Sequence, residues 1–435
     1  MARLTPAPDV GFSDILSRLP ACIELDRLAL EHKALERVRQ VSDGASLLRL
    51  ALARSPGGLS LRQTAAWASM TGLARLSNPA VKKRLDKAAG FLAAVTYALL
   101  AARAGGGSLL WPGRSLRAAD GTSISKPGSL GTDWRVHGVF DLGGGGFAHL
   151  ELTDSKGAES ILRGAAVAGE VRIADRYYCR AATLLQFCQD NAGRSDDERA
   201  DFIVRVRWNA LRLRRPDGTG FDLIAHLKAL PQNVATHECD VQAAVDGTDG
   251  VRLRLAILRK PTAATAATIA KLQAEARRRG KQPDPRTLVA AQFLILATSL
   301  PASGYPVEQV LTAYRLRWQI ELAFKRLKSL LHIDALPTHT AQASRSWLHA
   351  HLILALLTDD LSQEFLESFP SGPARPRLST IPLAGPEECP THPPPPHLGN
   401  PANQSTHQSR TTDMQATGQR AKKKNPTNPL YTANI

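Results

Sequence analysis

The spacing of apolar and polar residues changes character along this chain, and each change predicts a different set of elements. Up to about residue 105, Ala- and Leu-rich stretches with helical spacing are broken at Pro56-Gly57-Gly58 and Asn78-Pro79, which predicts an N-terminal helical domain over 1–105. Within it, Leu59 to Leu85 reads as a short helix, a Thr71-Gly72 turn and a second helix capped by Ser77 or Asn78, with Pro79 in its first turn. Lys82, Lys83 and Arg84 fall on the exposed side of that second helix. The pattern suits a helix-turn-helix that binds DNA, and equally a helical hairpin that only packs.

After Gly105-Gly106-Gly107 the period drops to two. Strands are predicted at Arg114 to Ile124, Trp134 to Leu142 and Phe147 to Thr153, with Gly143 to Gly146 turning between the last two. A short apolar strand at Glu170 to Asp175, a helix at Arg180 to Gln189 and a strand at Asp201 to Trp208 come next. Three meander strands, then strand, helix and strand, is the order of an α+β, RNase H-like core, a mixed five-stranded sheet with flanking helices whose first part is 110–208. The same string suits other α+β sheets. Residues 209–287 read as a β-rich basic insertion, with β-like Val251 to Leu258 and a helix at Ala263 to Arg279. The core resumes over 288–368 with a strand at Leu288 to Ala297, a long helix through Tyr314 to Lys328 and another at about Leu348 to Phe365. Residues 369–435, with Pro393 to Pro396 and Lys422-Lys423-Lys424, have almost no apolar periodicity and are expected to be disordered.

The long helix carries the most informative pattern. Tyr314, Arg317, Glu321 and Lys328 are spaced by three, four and seven, steps that return to one helical face. Leu316, Ile320, Phe324, Leu327 and Leu331 form a neighbouring apolar stripe that anchors the helix and leaves the polar face to look into a site. One carboxylate among cationic and phenolic groups suits a metal-binding acid beside phosphate-holding groups. Trp318 suits stacking on a base or, more commonly for such a Trp, a place in the core.

Charge narrows the function classes. Lys and Arg total 55 against 39 acidic residues, giving a net charge of +16, the electrostatic footprint of a nucleic-acid binder. Basic residues also cluster at Arg205-Val206-Arg207, Arg212 to Arg215 and Arg277 to Arg279. The five cysteines, Cys22, Cys179, Cys188, Cys239 and Cys389, have no spacing suited to a zinc knuckle or a redox motif, and a disulfide framework is not expected. Met1 to Pro6 is not followed by the apolar core of a signal peptide, and no apolar run reaches the roughly 18 residues of a membrane span. A cytoplasmic location without a membrane partner is expected.

Three carboxylates stand where acids are otherwise unfavourable or placed for ligands. Asp120 lies in a predicted strand, Asp175 ends another at the rim of a sheet, and Glu321 comes from a helix able to cross that rim. Converging carboxylates suit Mg2+ or Mn2+, and two such ions about 4 Å apart stabilise both oxygens of an in-line displacement at phosphorus. Taken singly, Asp120-Gly121 is also a common turn, Asp175-Arg176 a surface ion pair, and Glu321 with Lys325 or Lys328 a solvated helix pair.

Together the three segments resemble the DDE transposases of the insertion sequence 4 family. That family's signature of Tyr, two residues, Arg, three residues, Glu, six residues and Lys is met in full by Tyr314, Arg317, Glu321 and Lys328. Asp120-Gly121-Thr122 and Ala174-Asp175-Arg176-Tyr177 precede it in the expected order, and the resemblance spans roughly residues 40 to 365. It implies that Asp120, Asp175 and Glu321 are a catalytic, metal-binding triad for two Mg2+ ions, with Mn2+ as a substitute. Tyr314, Arg317 and Lys328 would hold phosphates at the element's end, with Arg176 and Tyr177 flanking the site. It further implies cut-and-paste transposition on double-stranded DNA, terminal inverted repeats and target alike, by a homodimer, with a hairpin at the cleaved end, in the nucleoid of a bacterial cytoplasm. The family commonly has Gly where this chain has Tyr177. The tail looks non-homologous or frame-shifted, and helical periodicity in another frame of the downstream nucleotides would be the sign of it. A metal-dependent nuclease that cuts without joining, or an inactive DNA-binding remnant, stays open beside the transposase.

Overall fold

The computed structural model describes residues 12–36, 40–103, 111, 113–338 and 340–367, so the expected disorder of 369–435 lies outside the described residues. Six helices come first: α1 (Phe12–Ser17), α2 (Leu25–Glu31), α3 (Gly44–Arg54), α4 (Leu61–Met70), α5 (Asn78–Lys87) and α6 (Ala89–Arg103). The starts of α4 and α5 are written locally. Ser60 and Gln63 exchange side-chain and backbone hydrogen bonds of 3.2 and 2.9 Å as a capping box, and Ser77 Oγ accepts from Ala80 N at 3.4 Å. Gly72, at φ +70°, supplies the left-handed residue that ends α4. Arg84 differs from expectation: it is half-buried, and its guanidinium donates to the Ala34 carbonyl at 3.3 Å.

The meander is β1 (Ser115–Ile124), β2 (Trp134–Asp141) and β3 (Gly146–Asp154); β4 (Glu170–Ala174), α7 (Ala181–Asp190) and β5 (Asp201–Arg205) come after it. Strands β1, β2 and β3 pair antiparallel, while β4 lies parallel to both β1 and β5. Their order, β3-β2-β1-β4-β5, is that of the RNase H-like core. The sheet runs on beyond those five. After β6 (Leu213–Arg214), α8 (Leu223–Ala229), β7 (Thr236–Ala243), β8 (Val251–Arg259), α9 (Thr262–Arg278) and α10 (Pro285–Ala290), strand β9 (Phe293–Thr298) joins β5 antiparallel. Strands β8, β7 and β6 extend the sheet in turn, to nine strands. The strand expected at Leu288 to Ala297 therefore starts later, because Asp284 caps α10 and Pro285 occupies its first turn. Likewise β5 ends at Arg205 rather than Trp208.

Helices α11 (Val307–Arg315), α12 (Trp318–Ser329) and α13 (Ala341–Glu367) complete the described chain. The single helix expected across Tyr314 to Lys328 is two. At the joint Leu316, Arg317, Gln319 and Ile320 donate to carbonyls three residues back rather than four, which tightens the turn and redirects the chain. Helix α13 begins well before Leu348 and supports the N-terminal helices: Thr96 Oγ1 meets His349 Nδ1 at 3.1 Å, and the Arg54 guanidinium lies 5.2 Å from the Trp347 ring centroid. Alternation along the strands fills two cores. Ala118, Ile173 and Leu296 face the layer of α3–α6 and α11–α13, whereas Ala119, Ala174 and Ile295 face α7 and α8. Arg172, fully buried, pairs with Glu170 at 2.5 Å and donates to the carbonyls of Ile161, Arg163 and Gly164, fastening the loop between β3 and β4.

Candidate active site

Strand register brings two acids together. Ala119 of β1 pairs with Ala174 of β4, so the next residues, Asp120 and Asp175, lie side by side on neighbouring parallel strands. Asp175 ends the buried run of β4 and caps the 3-10 turn Arg176–Tyr178, its Oδ1 accepting from Arg176 N at 2.6 Å. Glu321 arrives from α12, which packs on β1 and β2. Close approach there depends on Gly138, the residue opposite Asp120. A Cβ at that position would lie 2.9 Å from the Phe147 ring and 3.0 Å from the Phe324 ring. The missing side chain therefore lets Phe324, one helical turn beyond Glu321, sit down on the sheet.

The three acids converge on one guanidinium. Arg317 stands at the joint between α11 and α12, pairing with Asp120 Oδ2 at 3.8 Å and with Glu321 Oε1, while the Asp175 charge also acts on it. Burial alone would lower the Arg317 pKa; the Tyr314, Glu321 and Asp175 side chains reverse this and hold it above its ordinary value. Burial pushes Asp120 up to about 6, with Glu321 and Glu159 adding to the rise against the Gly121 N–H and Arg317. Tyr314 is buried in α11, its hydroxyl has no hydrogen-bond partner among the described residues, and burial raises its pKa.

A cleft of about 450 Å³ is lined by Asp120, Gly121, Glu321, Lys325, Lys328 and Asp334, among others. Lys328 Nζ donates to the Ser123 carbonyl at 3.2 Å, tying the end of α12 to β1 past Asp120. Of the residues expected at the site, Asp120, Glu321 and Lys328 line this cleft; Asp175, Tyr314 and Arg317 lie behind it, and Arg176 is exposed beside Asp175. Trp318 is 52% exposed rather than core, since the apolar face of α12 falls on Ile320, Phe324 and Leu327. Lys82, Lys83 and Arg84 stay on α5. Lys82 pairs with Asp86 at 2.6 Å, and Lys82 and Lys83 line a separate cleft with Lys87 and Gln342. Sequence reasoning missed Asp334 and Glu159, loop residues without periodic signal, and Tyr178, whose pKa burial and the Asp120, Glu159 and Asp175 charges raise. Lys325, four residues after Glu321, carried a helical-spacing signal.

The donor set suits a hard divalent cation: three carboxylates meet, and buried Asp120 is short of compensating charge. Among the described residues no group of three His, Cys, Asp or Glu is closed enough to hold an ion, because the Arg317 guanidinium supplies the positive charge between them.

Sheet order and acids thus define a nucleic-acid-processing enzyme of the DDE type, and comparison with known proteins agrees. The Transposase DDE domain matches residues 111–357. The putative transposase InsL for insertion sequence element IS186A of Escherichia coli (strain K12) is 41% identical over 364 residues, 82% of this chain and 95% of that protein. The transposase for insertion sequence element IS421 of Escherichia coli is 41% identical over 365 residues with the same coverage. A piggyBac transposase synaptic complex with hairpin DNA aligns over 87% of this chain and 79% of its own at 10% identity and a TM-score of 0.38, a likeness too weak to bear on function. The chain belongs to the DDE transposases of the insertion sequence 4 family. It is a transposase of an insertion sequence, from a family that acts on DNA and generally uses divalent metal ions. Among the described residues no single helix is long and apolar enough to cross a membrane.

Proposed function

We propose that this chain binds the terminal inverted repeats of its element and cuts and joins DNA there by cut-and-paste transposition. The supporting observation is the meeting of Asp120, Asp175 and Glu321 around Arg317, at a cleft that Lys325 and Lys328 line with positive charge. Asp120, Asp175 and Glu321 would hold two Mg2+ ions, or Mn2+, which supply an activated water and charge stabilisation at phosphorus. Asp120 serves this only as the carboxylate. Glu321, 54% exposed at the start of α12, is the mobile member, and its pair with Arg317 keeps it directed at the cleft. Arg317, once its carboxylates are otherwise compensated, offers a planar fork to a phosphate, as Lys328 offers a point charge. The bent joint before α12 aims that fork between β1 and β4. Helices α4 and α5 bind the repeats through Lys82 and Lys83, the basic insertion adds phosphate contacts, and a homodimer pairs the two ends through a hairpin intermediate.

The test is Mg2+-dependent cleavage of linear DNA carrying the element's own terminal repeats, wild type against Glu321→Gln. Release of ends by the wild type, and binding without release by the variant, is the expected outcome. Cutting by Glu321→Gln at the wild-type rate would remove the triad, and cutting without subsequent joining would leave a nuclease.

A further inference from the structure

Outside the carboxylate cleft, an exposed aromatic ring stands between two guanidinium groups. Tyr177 is 51% exposed, and the Cζ atoms of Arg176 and Arg207 lie 5.3 and 5.7 Å from its ring centroid. Arg176 and Tyr177 belong to the 3-10 turn that leaves β4, and Arg207 lies two residues past the end of β5. Because β4 and β5 are parallel neighbours, both emerge on the edge of the sheet that carries Asp175. Both arginines are exposed, and neither guanidinium has an ion-pair or hydrogen-bond partner among the described residues. Arg205, the last residue of β5, adds a third cation close enough to act on Tyr314 and Lys260.

Like charges held together without carboxylates repel one another, and a polyanion relieves that repulsion. The ring narrows the class of polyanion, since a π face between two forks accepts a stacked base while the guanidinium groups take the adjoining phosphates. Position narrows it further. In the order β1-β4-β5 the acids Asp120 and Asp175 lie between two basic groups: Lys325 and Lys328 toward the end of β1, and Arg176, Arg205 and Arg207 toward the end of β5.

We propose that Tyr177, Arg176 and Arg207 form a docking platform for the DNA strand on one side of the scissile phosphate, with Lys325 and Lys328 holding the other side. This rests on the DNA-cutting reading above. It also gives Tyr177 a task that a Gly, common at this place in the family, cannot perform: stacking on a nucleotide next to the cut.

The test uses the full chain carrying Asp120→Asn, bound to linear duplex with the element's terminal repeat. Single thymines on either side of the cleavage position are replaced by 5-iodouracil. Irradiation should attach the peptide containing Tyr177 to positions on one side only. In the same background Tyr177→Ala should abolish that product and weaken binding on the order of tenfold, the scale of one lost base stack, while Tyr177→Phe keeps both. Arg207→Ala should weaken binding, and Arg207→Lys should restore part of it. Crosslinks that map away from Tyr177 at every position, with the DNA bound and Tyr177→Ala cutting like the wild type, would overturn the platform and leave the transposase reading intact. A chain that neither binds nor cuts the repeat would end both.

Discussion

Asp120 is the residue at which burial and function most plainly oppose each other. In the folded chain it keeps its proton up to about pH 6, whereas the unfolded carboxyl releases it near 3.8. The native state therefore binds the extra proton across this window, and stability falls as pH rises through it. Asp120→Asn, which removes the buried charge, should raise stability by about 1–2 kcal/mol at pH 8, and the gain should vanish below about pH 4. Urea midpoints at the two values check this, and a gain that is equal at both would place the effect elsewhere. Cleavage should change in the opposite sense, rising with pH through about 6 as the carboxylate forms.

At the scale of elements, the site depends on how closely α12 approaches the sheet. Gly138→Ala would force a Cβ against the Phe147 and Phe324 rings, costing about 1–3 kcal/mol and lifting the helix that carries Glu321. Cleavage should fall more than DNA binding does, as measured by turnover against mobility shift; loss of both in equal proportion would mean that the whole fold has gone. The joint between α11 and α12 is a second such device. Tyr314 and Arg317 satisfy helical spacing on paper, but the 3-10 pattern at Leu316 and Arg317 buries the tyrosine in one helix and points the arginine between two strands. Periodicity identified the right residues and could not show the bend, because tight and regular turns differ by one step in hydrogen bonding rather than in residue type.

For the molecule as a whole, one apolar core joins the N-terminal helices, α13 and one face of the sheet. Leu352, fully buried in α13, belongs to that shared core. Leu352→Ala should cost about 2–5 kcal/mol and lower the stability of helices and sheet together. Far-ultraviolet circular dichroism and tryptophan fluorescence should then report the same transition midpoint, whereas separate midpoints would mean that the N-terminal helices fold on their own. The nine-stranded sheet likewise makes β6–β9 an extension of the catalytic strands. Arg207, read in sequence as part of a basic cluster before the insertion, thereby reaches the ring of Tyr177.

Sequence alone determined the alternating strands around Asp120 and Asp175, the caps of α4 and α5, the excess of positive charge and the spacing of Tyr314, Arg317, Glu321 and Lys328. Each of these is a local property, carried by side-chain periodicity or by a residue bonding to its own neighbours. Tertiary structure decided the rest. Glu159, Asp334 and Arg207 reach the neighbourhood of the acids from loops and strand ends. Trp318 turned outward, and Arg84 bonded across to Ala34. Those outcomes depend on parallel strand register, on a glycine that lets a helix settle and on long-range contacts between segments far apart in the chain, none of which leaves a repeating mark on the order of residues.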